Sequence, residues 1–177
     1  MGYEFSFLPY RKHDGVPTLR DSDISNLYNK CCEQGIDEIV FHDGSINDAA
    51  EFTDYVKRPD VIFYVVYYDV FPFGFFWLNR IEKTNAHIHF VIFKDYWGKG
   101  LSVEAGKKVV QMCLDSYPTI MGRLLPENKY AINYVSQLGF NLVGLVPNLI
   151  WSKKDSKPVA GLVVYITKEE LEDEGLQ

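Results

Sequence analysis

The sequence predicts a mixed α/β (α+β) fold, with a mostly antiparallel sheet of about six to seven strands and about four helices. Three observations lead there. Alternating or aromatic-rich β runs recur at residues 3–8, 61–68, 71–81, 86–93, 120–125, 140–146 and 159–167. Between them lie segments whose apolar residues repeat at helical spacing and whose ends carry capping residues. Several β runs are joined by connections too short for a crossover, which makes them antiparallel neighbours.

Taken in order, Phe5 and Phe7 alternate in the first run. Asp21, Ser22 and Asp23 offer N-caps for a helix over 24–34, closed by Gly35. Ser45 caps a second helix over 46–57, ended by Pro59. The runs 61–68 and 71–81 flank a tight connection and form a hairpin. A polar turn over 82–85 leads into the strand 86–93. Past a glycine-rich junction, Leu101, Ala105, Val109, Met112 and Cys113 mark a third helix, stopped by Tyr117 and Pro118. The strand 120–125 ends at Pro126. Asn128 begins a fourth helix reaching about Leu138, with Gly139 just past its end. Two last strands, 140–146 and 159–167, are separated by a polar loop over 152–157. The acidic tail from Lys168 is expected to fray. No repeat or internal boundary is visible, so 1–177 is expected to be one domain.

A hydrophobic content of 47% with 12 Tyr and 12 Phe rules out a disordered chain and favours a strand-rich core. Net charge is −6, and no dense Lys/Arg block occurs, so nucleic acid is not the expected partner. An acidic surface tolerates basic, amine-bearing substrates. Cys31, Cys32 and Cys113 form neither a CxxC pair nor a zinc spacing, which points to a reducing compartment and no metal. The start of the chain lacks the pattern of a signal peptide. The longest apolar stretch, 61–78, is broken by Asp69, Pro72 and Gly74, so no membrane span is expected. Cytoplasmic is the resulting expectation.

The junction carries the chemistry. Phe93-Lys94-Asp95-Tyr96-Trp97-Gly98-Lys99-Gly100-Leu101 joins a strand to a helix, with two glycines flanking one lysine. A strand turning sharply into a helix presents unpaired backbone N–H groups at the positive end of the helix dipole, a phosphate or pyrophosphate site. A P-loop is excluded, because Phe93 and Gly100 stand where it needs Gly and Ser/Thr. A dinucleotide fingerprint fits poorly, since Val103 replaces its third glycine and the preceding strands are antiparallel.

An ordered series remains: Tyr96-Trp97-Gly98-Lys99-Gly100, Glu104-Ala105, Leu125-Pro126-Glu127-Asn128, Leu138-Gly139-Phe140 and Gly144. It resembles the GNAT acetyltransferase superfamily, and within it the branch of ribosomal-protein N-terminal acetyltransferases. The matching motifs span 86–144, and the element order agrees over nearly the whole chain. The resemblance implies a GNAT fold, in which the fourth and fifth strands, 86–93 and 120–125, splay apart around the pantetheine arm of acetyl-CoA. It implies that backbone groups of Val91, Ile92 and Phe93 bind that arm. The N–H groups of Trp97, Gly98, Lys99, Gly100 and Leu101 would hold the pyrophosphate. The Lys99 side chain either adds charge there or points into solvent. Asn128 matches a position that contacts the cofactor arm, and Asn is also a good N-cap.

Acetyl transfer is attack of an amine on the thioester, so a base must take the ammonium proton. Relatives place a Glu where this chain has His87; imidazole can serve near neutrality. His89, two residues on, lies on the same strand face. The alternative is that both are polar surface residues. The positions where relatives carry an acid, a Tyr or a Ser, are Val135 and Ala131 here, leaving the nearby Tyr134 and Tyr130 as candidates. Asp95 opens the loop where Gln or Arg is usual, so its side chain should turn away from a pyrophosphate.

Two function classes follow. One is an N-acetyltransferase acting on a primary amine: a protein N-terminus, a lysine or a small amine. The other is a GNAT-fold module that binds CoA or a partner without turnover. Aromatics on both faces of the hairpin over 63–77 imply helix cover, a substrate wall or a homodimer interface.

Overall fold

The structure, a computed structural model, describes residues 4–174. Its elements in chain order are β1 Phe5–Pro9, β2 Lys12–His13, β3 Val16–Pro17, α1 Asp21–Glu33, α2 Asp37–Val40, α3 Ala49–Val56, β4 Ile62–Tyr68, β5 Phe71–Asn79 and β6 Asn85–Ile92. A one-turn 3-10 helix, Lys94–Tyr96, precedes α4 Leu101–Leu114, β7 Thr119–Leu124, α5 Lys129–Gln137, β8 Asn141–Ser152, β9 Lys157–Thr167 and α6 Lys168–Glu174. Seven strands form a sheet in the order β1-β4-β5-β6-β7-β9-β8, and β2 pairs with β3 alone. This is the mixed, mostly antiparallel fold expected. The chain divides into two compact units, one of residues 1–79 with 89–99, the other of 80–88 with 100–177, so that β6 contributes to both.

In the first unit, α1 and α3 cover one face of β4 and β5. Ile24, Leu27, Tyr28 and Cys31 of α1 meet Phe52 and Val56 of α3 over Phe63, Val65, Phe75 and Trp77. The Phe52 ring lies 5.4–5.9 Å from those of Tyr28, Phe41, Phe63 and Phe75. Burying such rings together is the main stabilising contribution of this unit. Helices thus account for one aromatic face of the hairpin. On the other face Phe76 is also buried, stacked on Tyr64 at 4.9 Å. Gly74 is required by close approach, since a Cβ there would collide with the Val91 carbonyl oxygen of β6.

Several helix boundaries differ from expectation, each for a local reason. Helix α1 begins at Asp21, capped by Arg20, because the Asp23 carboxylate reaches back to the Arg20 N–H at 2.9 Å. It ends as expected at Gly35 in a Schellman motif, with Ile36 N–H on the Cys31 carbonyl. The second expected helix is shorter, α3 Ala49–Val56. Ser45 does not cap it, because its hydroxyl donates to Asp43 at 2.7 Å; Asp48 takes that place, accepting from Glu51 N–H at 2.8 Å. The short helix α2 and the β2–β3 hairpin were not anticipated, although Asp14-Gly15 at its turn, both with positive φ, is a hairpin signal. Tyr3 of the first expected strand lies outside the described residues.

In the second unit, β6 and β7 run parallel for three pairs, Asn85↔Thr119, Ala86↔Ile120 and His87↔Met121. β7 continues on β9 to Leu124. Asn128 caps α5, accepting from Ala131 N–H at 3.0 Å, and Gly139 closes it. The expected polar loop over 152–157 is a turn over 153–156, and β8 runs past its expected end at 146 to Ser152 through an irregularity at 146–150. The tail does not fray up to Glu174. Thr167 and Glu170 form a capping box that starts α6, with Thr167 N–H on Glu170 at 3.0 Å. The described residues hold six helices rather than four, and none is long and apolar enough to cross a membrane.

Candidate active site

The junction after β6 is not a direct strand-to-helix step. Phe93 leads into the 3-10 turn, then Gly98 (φ 71°) and Gly100 (φ 74°) reverse the chain into α4. Gly100 is the N-cap of this 14-residue helix and offers no side-chain bond, so no capping side chain covers its first N–H groups. A Cβ built on Gly98 or Gly100 meets nothing within 4 Å, so there is open space beside the loop.

Five contacts hold this shape. The Trp97 indole N–H donates to the Ile92 carbonyl at 2.8 Å. Lys99 Nζ donates to the Asp95 carbonyl at 2.7 Å, so the ammonium braces its own loop. Asp95 turns onto α1, where Lys30 Nζ lies 3.0 Å away and Gln34 donates at 3.2 Å. The Lys30 ammonium holds the Asp95 carboxyl below its ordinary pKa. Gln34 Oε1 in turn accepts the Lys94 N–H at 2.7 Å.

Strand alternation divides the backbone groups of β6. Phe93 N–H donates to the Phe73 carbonyl of β5 at 3.1 Å, and the Val91 carbonyl lies against Gly74 of β5. Peptide groups two residues apart face the same way. Val91 and Phe93 therefore address β5, whereas Phe90 and Ile92 point to the opposite edge.

The two histidines have different surroundings. His87 sits on the paired part of β6 and is buried. Burial, helped by Arg123 and Arg80, pushes its pKa down to about 4, with Glu82 opposing weakly. It is a neutral imidazole and a poor proton acceptor. The His89 ring stacks on Trp77 (centroids 4.6 Å apart, 2° between planes), and its Nε2 is 3.1 Å from Asn79 Oδ1. Asn79 Nδ2 and Trp77 Nε1 both donate to the Tyr55 hydroxyl, at 2.9 and 3.0 Å. With its Nδ2 so engaged, Asn79 presents an acceptor oxygen, so His89 carries its proton on Nε2 and Nδ1 is its basic nitrogen.

Tyr134 of α5 donates its hydroxyl to the Ser102 carbonyl at 2.9 Å, and burial pushes its pKa up. A Cβ on Gly106 of α4 would collide with that hydroxyl, so the glycine admits it. Tyr130 is exposed. The residues that sequence reasoning missed are Tyr55, Asn79, Arg80 and Arg123. No motif marks them, and the pair Tyr55–Asn79 spans 24 positions.

The state of His87 makes stability depend on pH. Its folded pKa is about 4 and an unfolded histidine titrates near 6.5, so the unfolded chain binds the extra proton between those values. Stability is full above about pH 6.5 and falls as pH drops, by an amount on the order of 3 kcal/mol for this group. Denaturant unfolding of His87→Gln from pH 7 to 4.5 is expected to show a shallower decline than the parent; equal slopes would refute it.

Solved structures share this fold at low identity. An aminoglycoside N(6')acetyltransferase from Legionella pneumophila superposes with a TM-score of 0.75 at 18% identity, covering 98% of each chain. Spermidine N-acetyltransferase from Vibrio cholerae, in complex with CoA and spermine, gives 0.69 at 15%, covering 94% of this chain and 97% of that one. Ribosomal-protein-S5-alanine acetyltransferase from Vibrio fischeri gives 0.69 at 13%, covering 85% and 91%. Among curated proteins none matches. The family model for the acetyltransferase (GNAT) domain matches residues 17–141, most of the chain. This protein therefore belongs to the GNAT acetyltransferase family, whose members are N-acetyltransferases that use acetyl-CoA.

Proposed function

We propose that the chain works as one acetyltransferase domain, moving the acetyl group of acetyl-CoA to a primary amine by direct attack in a ternary complex. The observation that carries this reading is the Gly98–Gly100 turn at the uncapped start of α4, with open space beside it. N–H groups from Gly98 to Leu101 receive the pyrophosphate; the Trp97 N–H, expected to join them, is spent on the Lys94 carbonyl at 3.1 Å. The Ile92 N–H and the Phe90 peptide groups pair with the pantetheine amides, a role the backbone of Val91 and Phe93 cannot share. Asn128 both caps α5 and offers its amide N–H to the cofactor arm.

In the reaction the acceptor ammonium loses a proton to His89, whose basic nitrogen is set by Asn79. The neutral amine attacks the thioester carbonyl, polarised by strand N–H groups; the C–S bond breaks, and the nitrogen gives its surplus proton to solvent as the amide forms. The CoA thiolate leaves unassisted and takes a proton from solvent, since a thiol of pKa about 8.5 is a tolerable leaving group. Tyr134, engaged on Ser102, positions the start of α4 instead of supplying that proton. The acceptors named for similar structures, spermine and the alanine of a ribosomal protein, are both amines, which supports an amine acceptor. The three cysteines are free, which suits a reducing compartment such as the cytoplasm.

Calorimetric titration with acetyl-CoA is expected to saturate below about 1 mM. Absence of binding would overturn the reading. Release of free thiol over a panel of amines then tests turnover. Binding without release from any amine would leave a CoA-binding module.

A further inference from the structure

Two contacts of His89 converge on a single oxygen. The imidazole lies flat on the Trp77 indole, and its Nε2 meets Asn79 Oδ1. Trp77 and Asn79 stand two residues apart on β5 and so share one face of that strand. Both aim a donor at Tyr55 of α3. Its hydroxyl accepts the Trp77 indole N–H at 3.0 Å and Asn79 Nδ2 at 2.9 Å. All four residues belong to the first compact unit.

Tyr55 is itself held in place. Its ring stands edge-on to Trp77, with centroids 6.2 Å apart and 83° between the planes. The Arg58 guanidinium carbon lies 5.4 Å from its ring centroid, and Arg58 is fixed in turn by Asp60 at 2.9 Å. On either side of it in α3, Phe52 and Val56 are buried in the core.

A phenolic hydroxyl has two lone pairs and one proton. An indole N–H can only donate, so it claims one lone pair outright. Asn79 fills the second with Nδ2, which leaves its oxygen for His89. Without the hydroxyl, nothing on the α3 side holds Nδ2, and the amide is free to turn. A turned amide offers an N–H to His89 Nε2, which must then accept. The ring proton would move to Nδ1, the nitrogen assigned to take the acceptor's proton. We propose that Tyr55 is a positioning residue for the base. Its hydroxyl fixes the Asn79 amide and the Trp77 face, and through them the tautomer and plane of His89. This rests on His89 being the base in the reading above, and it adds the residue that sets that base.

Nitrogen-15 spectra of the neutral imidazole read the tautomer without any turnover. Parental His89 is expected to carry its proton on Nε2. Tyr55→Phe keeps the ring and loses the hydroxyl, and the share of the Nδ1–H tautomer is expected to rise. Asn79→Asp presents an oxygen to His89 whichever way it turns, so Tyr55→Phe in that background is expected to leave Nε2–H intact. In turnover, Tyr55→Phe is expected to lower kcat by about 10-fold while the KM for acetyl-CoA stays within about twofold. In a His89→Gly background the same substitution is expected to change kcat by less than about twofold, because a residue acting through His89 then has nothing to act on. A proton on Nδ1 in the parent, an unchanged tautomer in Tyr55→Phe, or equal kcat losses with and without His89 would overturn the proposal. A fall in acetyl-CoA affinity matching the fall in kcat would overturn it too, by reducing Tyr55 to a packing residue. Parental kcat in His89→Gly would instead refute the choice of base, a separate result.

Discussion

Replacing Gly100 with valine is expected to raise the acetyl-CoA dissociation constant by about 100-fold or more, which corresponds to about 2.7 kcal/mol. Two effects add. At φ 74° a β-branched residue suffers the left-handed penalty of about 1–2 kcal/mol and relaxes by rotating the loop away. Its side chain also occupies the open space beside the N-terminus of α4 and shields the N–H groups proposed to meet the pyrophosphate. Gly15→Val supplies the control. Gly15 has φ 82° and equally open surroundings, but it lies in the β2–β3 turn. That variant is expected to melt earlier while binding acetyl-CoA as the parent does. Calorimetry at one temperature, below both melting points, separates the outcomes. If Gly100→Val binds acetyl-CoA within about threefold of the parent, the loop is not the pyrophosphate site.

What the sequence could and could not disclose follows from the range of the interactions involved. Short-range signals were legible: Gly35 and Gly139 end helices, Asn128 caps one, and the 61–81 aromatics form a hairpin. The glycine pair at 98 and 100 was legible for the same reason, because each needs a backbone angle that other residues avoid. Competing local signals were harder. Asp43, Ser45 and Asp48 are all plausible caps, and the choice fell to Asp48 only because Asp43 takes the Ser45 hydroxyl. The Thr167–Glu170 capping box was present in the sequence but outweighed by the acidic composition around it. The site itself depends on information absent from any motif. Which β6 peptide groups face away from β5 is set by the pairing with β5, not by side-chain type. The character of His87 is set by its burial, and then by Arg123 and Arg80, which lie 36 positions after and seven before it.

Replacing His89 with glycine is expected to lower kcat by roughly 100-fold or more, with acetyl-CoA affinity unchanged within about threefold. The argument starts from the two candidates on one strand face. Protonating His87 means placing a charge in a buried position near two arginines, and its pKa of about 4 reflects that penalty. A base so weak gains little from an ammonium of pKa about 8 to 10. His89 instead meets the Asn79 carbonyl oxygen and the Trp77 face. The oxygen stabilises an Nε2–H in either protonation state, and an indole face favours a cation stacked upon it. Both features ease the transient imidazolium that the transfer requires. Exogenous imidazole added to His89→Gly is expected to restore part of the rate in a concentration-dependent way, which a merely structural histidine would not allow. Asn79→Ala is expected to lower kcat by a smaller factor, about 10-fold, by freeing the ring to rotate. A His89→Gly variant with parental kcat would return the role of base to His87 or to bound water. A loss that imidazole cannot rescue, accompanied by an equal loss in acetyl-CoA affinity, would reduce His89 to a packing residue against Trp77.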